Sequence, residues 1–113
     1  MEPEKNAEVS MLLDFYGPLL TDKQREMLRL RVEEDLTLGE IAEGFSVSRQ
    51  AVNDALKKAE KTLFEMEEKL HLAQRYKLLQ NEVDRVHDAL ESGDTKAAAQ
   101  ILLTMREEGF YGV

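Results

Sequence analysis

Residues 37–61, TLGEIAEGFSVSRQAVNDALKKAEK, carry the reading on which the fold depends. Thr37 followed three residues later by Glu40 is a capping-box pattern, in which hydroxyl and carboxylate satisfy orphan amides at a helix start. A short helix is expected from there to about Glu43 or Gly44. Ser48 is a further N-cap, three residues after Phe45, so a second helix is expected from Arg49 onward. Ile41 and Ala42 on the first helix, Phe45 and Val47 around the turn, and Val52 and Leu56 on the second can clamp the two helices at a fixed angle. Ala42 is small where the helices must approach. This is the plan of a helix-turn-helix over 37–61, whose second helix projects side chains into a major groove in proteins that read DNA.

The clamp leaves Ser48, Arg49, Gln50, Asn53, Asp54 and Lys57 on the outer face. Arg can pair bidentately with guanine, and Gln or Asn with adenine. With Lys58 and Lys61 supplying further positive charge, the candidate nucleic-acid-binding residues are Ser48, Arg49, Gln50, Asn53, Lys57, Lys58 and Lys61. Ser46 stands at the turn position that Gly usually fills in this motif. A left-handed conformation there costs on the order of 1 kcal/mol, and Gly44 offers another way out of the first helix.

Working outward, Leu12, Phe15, Tyr16 and Leu19 fall at helical spacing, and Gly17-Pro18 stops the chain, which predicts a short helix over 9–16. Thr21 and Gln24 form a second capping box, heading a helix from about Asp22 to Glu33 that buries Met27, Leu28 and Val32. Downstream of Arg49 there is no Pro or Gly until Gly93, and apolar residues recur at Val52, Leu56, Ala59, Leu63, Met66, Leu70, Ala73, Tyr76, Leu79, Val83, Val86 and Leu90. Those steps of three and four are helical. The 3-4 alternation slips between His71 and Tyr76, where a bend or break is expected. Ser92-Gly93-Asp94 separates a last helix, Thr95 to Glu108, with Ala98, Ile101, Leu102 and Met105 inward. The expected organisation is an N-terminal helical domain (1–62), a C-terminal helical arm (63–108) and a tail (109–113). The arm carries more apolar surface than one small core can cover, so a homodimer is the expected assembly.

The 113 residues suffice for one domain with a modest core. The absence of Cys removes disulfides, thiolate zinc sites and cysteine nucleophiles, and suits a reducing compartment, the cytoplasm being the simplest. The acidic start and the lack of an apolar run of about 20 residues speak against export and membrane insertion. Net charge is −8, which opposes nucleic-acid binding by the molecule as a whole. Residues 48–62 are nonetheless net +2, against −6 before them and −4 after.

Leu20-Thr21, Gln24-Arg25-Glu26, Leu36, Leu38, Glu40-Ile41-Ala42, Phe45, Val47-Ser48-Arg49 and Val52 resemble the fourth region of bacterial sigma factors, which reads the −35 promoter element. A closer resemblance is to the YlxM family of small bacterial helix-turn-helix proteins. It rests on Phe15-Tyr16, Leu19-Leu20-Thr21-Asp22-Lys23-Gln24, Glu40-Ile41-Ala42-Glu43, Val47-Ser48-Arg49-Gln50-Ala51-Val52, Glu60-Lys61 and Lys69-Leu70-His71. The likeness covers roughly residues 12–72, with Ser46 replacing the usual Gly and Asn53 the usual Tyr. It implies an all-α fold with a sigma-region-4-like domain and a C-terminal helical extension. It further implies a role beside the signal recognition particle, since such proteins are encoded next to that particle's GTPase or its receptor. On that implication the partners are the particle's RNA, its protein, or both.

Other residues read more plainly. Met27, Met66 and Met105 are gap fillers in apolar positions, and Glu65, Glu67, Glu68 and Lys69 read as a solvated helix face. His71 and His87 are too far apart, and too alone, for a metal site. No carboxylate lies in a loop that would tune it for acid or base work, and there is no Walker-type phosphate loop. The expectation is a non-enzyme without cofactor. The rival class is a protein-interaction module whose acidic surface meets a basic GTPase or polymerase, or else a transcription regulator of the ordinary DNA-binding kind.

Overall fold

The computed structural model describes residues 3–109, all of whose regular elements are helical. The helices are α1 (Pro3–Tyr16), a 3-10 turn (Gly17–Leu19), α2 (Asp22–Val32), α3 (Leu38–Phe45), α4 (Arg49–Leu70), α5 (Leu72–Glu91) and α6 (Thr95–Glu107). They fall into two compact units, Met1–His71 and Leu72–Val113. The sequence reading places its domain boundary nine residues earlier, after residue 62; the first unit instead runs to the end of α4.

In the first unit α4 packs against α1, α2 and α3 in turn. Val52, Leu56, Ala59 and Leu63 form its buried stripe, meeting Val9, Leu12, Leu13 and Tyr16 of α1, Met27 and Leu28 of α2, and Ile41 and Ala42 of α3 in one core. The starts of α2, α3 and α4 are chemically marked. Thr21 and Gln24 form a complete capping box at α2, as do Thr37 and Glu40 at α3. The Ser48 hydroxyl accepts the Ala51 amide at α4. Between α2 and α3 the left-handed Asp35 turns the chain, and Arg31 Nη1 donates to the Leu36 carbonyl at 2.9 Å.

The first helix begins at Pro3, six residues before the predicted start. Proline at a first helical position needs no amide partner, and that start signal lies outside the apolar pattern. Leu19, expected inward, is exposed, and Leu20 is buried in its place, because the 3-10 turn rotates the chain out of the α1 register. Glu67 is no solvated carboxylate: it accepts a 2.6 Å hydrogen bond from the hydroxyl of the buried Tyr16. This bond meets the polar need of a phenol otherwise sunk in the core.

The apolar seam does break where its period slips. His71 adopts φ +57° and ends α4, and α5 starts at the next residue. In the second unit α5 and α6 form a helical hairpin joined through Gly93 (φ +80°), with Asp94 capping α6. Ala73, Ala98 and Met105 are its buried apolar residues among those described. Ile101 is half-buried, whereas Leu102, expected inward, is exposed along with Leu103, Val83 and Leu90. Two helices cover only the sides they turn to each other, and the remaining apolar positions of the seam stay open. Of the predicted tail, only Gly109 falls within the described residues; 110–113 lie outside them.

Candidate nucleic-acid interface

The elements α3 and α4 build a helix-turn-helix. Ile41, Ala42 and Val52 are buried between the helices, and Phe45 and Val47 are half-buried around the turn. The turn is closed by two bonds, Val47 N–H to the Ala42 carbonyl at 3.0 Å and Ser46 N–H to the Glu43 carbonyl at 3.2 Å. That is the Schellman pattern, and it requires a left-handed residue at the position Ser46 occupies (φ +56°, ψ +44°). Gly44, read from the sequence as an aid to this exit, is ordinary helix with open space around it. Ser46 makes the turn and carries its strain.

The buried stripe of α4 fixes where its other residues point. Gln50, Asp54, Lys57 and Lys61 recur at steps of four, three and four along the side away from the core. Arg49 and Asn53 lie on one flank, Lys58 on the other. Arg49, Gln50, Lys57, Lys58 and Lys61 are exposed, whereas Asn53 is half-buried. Ser48 is exposed, but its oxygen is engaged as the cap of α4. Gln50 Nε2 donates to Asp54 Oδ1 at 2.8 Å, a bond that orients the amide and places a carboxylate on the same stripe. Lys61 reaches Glu65 at only 3.9 Å, and Lys57 and Lys58 have no ion-pair partner among the described residues. The face thus offers unneutralised cations with planar hydrogen-bonding groups among them.

Two groups nearby are held ionised. The Thr37 amide and hydroxyl bonds at the α3 cap draw the Glu40 carboxyl below its ordinary range. On α2, the Arg29 guanidinium binds Glu26 through two bonds of 2.7 and 3.0 Å and holds that carboxyl low; the same pairing raises Arg29 further. Neither carboxylate lies on the α4 stripe.

Gly39 was not singled out by its sequence context. It sits in the first turn of α3, and a Cβ placed there would come within 3.1 Å of Nε and Nη2 of Arg49 and 3.3 Å of its Cζ. No pattern of hydrophobicity could have pointed to this contact. Among the described residues, no three His, Asp or Glu side chains gather as a metal-binding group, and no helix is long and apolar enough to cross a membrane.

Residues 3–102 match the family model UPF0122, described as "Putative helix-turn-helix protein, YlxM / p13 like". The chain is 45% identical over 104 residues to a UPF0122 protein of Lactiplantibacillus plantarum, an alignment spanning 89% of this chain and 90% of that one. It is 51% identical over 84 residues to a UPF0122 protein of Lacticaseibacillus casei (74% of each chain). A UPF0122 protein of Mycoplasma capricolum is 45% identical over 83 residues (74% of each).

Proposed function

The chain belongs to the UPF0122 family of YlxM/p13-like helix-turn-helix proteins, and from that premise we propose that it is a non-enzymatic regulatory or accessory protein that binds nucleic acid through the outward side of α4. Arg49, Gln50, Asn53 and Lys57 are the base- and backbone-contacting residues of this reading, with Ser48, Lys58 and Lys61 contributing phosphate contacts. The observation that supports it best is the location of residues 48–62, a net-positive segment of an acidic chain. It coincides with the exposed side of the second helix of a helix-turn-helix. The sigma-region-4 likeness of residues 20–52 points the same way.

From the YlxM resemblance we further propose a role in the signal recognition particle pathway, in the cytoplasm, on the particle's RNA, its GTPase, or both. The test is fluorescence anisotropy at physiological salt with three labelled probes: in-vitro-transcribed signal recognition particle RNA, a mixed-sequence DNA duplex, and the particle's GTPase. RNA or DNA binding that is lost in Arg49→Ala supports the reading. Binding to the GTPase alone, unaffected by Arg49→Ala, replaces it with the protein-interaction reading, which the net charge of −8 favours.

The assembly of this reading is a homodimer joined through the second unit. Val83, Leu90, Leu102 and Leu103 are each more than two-fifths exposed there, on a hairpin too small to stand on its own buried surface. Sedimentation is expected to give a dimer at micromolar concentration; a monomer there removes it.

A further inference from the structure

We infer that Gly39 is a positioning residue for Arg49: its missing side chain is the seat against which the guanidinium lies, so that α3 sets the place where α4 presents its arginine. This rests on the proposed nucleic-acid reading of Arg49.

Three observations converge on it. The first is shape. Nε, Cζ and Nη2 of Arg49 all lie 3.1–3.3 Å from the position of a Gly39 Cβ, so three atoms of one guanidinium are almost equally close to it. The carbon is slightly farther away than the two nitrogens it joins, so the guanidinium turns its Nε–Nη2 edge toward Gly39. The N–H donors of a guanidinium lie in its plane, and the Nη1–Nη2 edge, on the side away from Gly39, keeps a fork free to pair.

The second is backbone. Among the described residues the positive-φ glycines are Gly93 and Gly109, and Gly39 is ordinary helix. Its conformation therefore does not call for glycine, and a helical glycine gives up stability that alanine would supply. The space taken by Arg49 is what the structure offers as the reason.

The third is the lack of any competing anchor. Arg49 is exposed and has neither an ion pair nor a side-chain hydrogen bond among the described residues. Nothing electrostatic holds it. The first turn of a helix carries the positive end of the dipole and repels a cation, so packing against Gly39 is what keeps it there. A long side chain so placed has lost rotamer freedom before any ligand arrives, which preorganises it for a bidentate contact.

The experiment is a double-mutant cycle on the full chain with Gly39→Ala and Arg49→Ala. The probe is a labelled mixed-sequence nucleic-acid duplex of about two helical turns, run as DNA and as RNA, and thermal melts are recorded for each variant. Arg49→Ala is expected to weaken binding about tenfold or more, and Gly39→Ala about threefold or more. In the Arg49→Ala background, Gly39→Ala is expected to have no further effect. The melting temperature of Gly39→Ala is expected to stay level or rise, so its binding loss is not a folding loss. In the free protein, the Arg49 Nε–Hε NMR signal is expected to shift and broaden in Gly39→Ala. A signal that does not move overturns the seat. Equal losses from Gly39→Ala in both backgrounds overturn the positioning role while leaving Arg49 as a contact. Full binding by Arg49→Ala overturns the reading beneath both.

Discussion

Helices α4 and α5 are close to equal in length, 22 and 20 residues, and both carry apolar residues every three or four positions. Their outcomes differ. From α4, Val52, Leu56, Ala59 and Leu63 are buried, because α1, α2 and α3 close over that stripe. From α5, Ala73 is buried, while Tyr76, Val83 and Leu90 are each more than two-fifths exposed. Among the described residues, thirteen buried apolar side chains lie in the first unit and three in the second. Periodicity says that a face is made to be covered; what covers it depends on how many other helices the chain brings. The first unit closes three helices over the α4 stripe, and the second leaves most of the apolar positions of α5 exposed.

The widest gap between the two units is expected from large-to-small substitutions. Leu28→Ala, at a fully buried position, is expected to lower stability by about 2–5 kcal/mol. Leu90→Ala, at an exposed one, is expected to leave the monomer within about 0.5 kcal/mol. Urea denaturation followed by circular dichroism, at a dilution where sedimentation gives a monomer, reads both, and equal losses would erase the distinction. Next in size is Tyr16→Phe, which removes the hydroxyl bonded to Glu67 and is expected to cost about 1–2 kcal/mol. No loss there would mean that the bond contributes nothing to the first core.

The two turns sharpen the comparison further, since α3 and α5 end in the same closure with different residues. At α5, Asp94 N–H bonds to the Ala89 carbonyl (2.8 Å) and Gly93 N–H to that of Leu90 (3.1 Å), with glycine in the left-handed position. At α3 a serine occupies it. Ser46→Gly is expected to raise the unfolding free energy by about 1 kcal/mol, and Gly93→Ala to lower it by a similar amount. Opposite signs in melting temperature check the pair.

The smallest effect concerns acid. Glu26 and Glu40 both titrate lower in the folded chain than their ordinary value of 4.5. As pH falls the unfolded chain therefore takes up protons first. Their contribution is complete above that value and fades as pH drops through the folded pKa. Glu40→Gln keeps an oxygen for the Thr37 amide and is expected to flatten slightly the fall in melting temperature from about pH 6 to about pH 3. An unchanged acid limb would show that the α3 cap carries no charge dependence.

Much of this was legible in the sequence, and for local reasons. Thr21 with Gln24, Thr37 with Glu40, and Ser48 alone mark helix starts within four residues, and the clamp of Ile41, Ala42 and Val52 follows from spacing. The slip in period near His71 announced the break between α4 and α5. What the sequence hid was non-local or needed a partner count. The Tyr16–Glu67 bond spans 51 positions. Leu102 fits an inward pattern but finds nothing to cover it. Leu19 and Leu20 exchanged roles because a 3-10 turn shifts the register. In the candidate interface, the outward placement of Arg49, Gln50 and the three lysines was readable from α4 alone. The half-burial of Asn53, the tie between Gln50 and Asp54, and the seat at Gly39 required the fold.

The central claim is that the outward side of α4 meets nucleic-acid phosphates, and the dependence of affinity on salt tests it most directly. Binding of in-vitro-transcribed signal recognition particle RNA should weaken with salt, log K falling against log salt with a slope of about −2 to −4 for the four cations of this face. Arg49→Ala should make that slope shallower by about one. A complex whose affinity does not change with salt, or a slope that Arg49→Ala leaves untouched, would contradict the account.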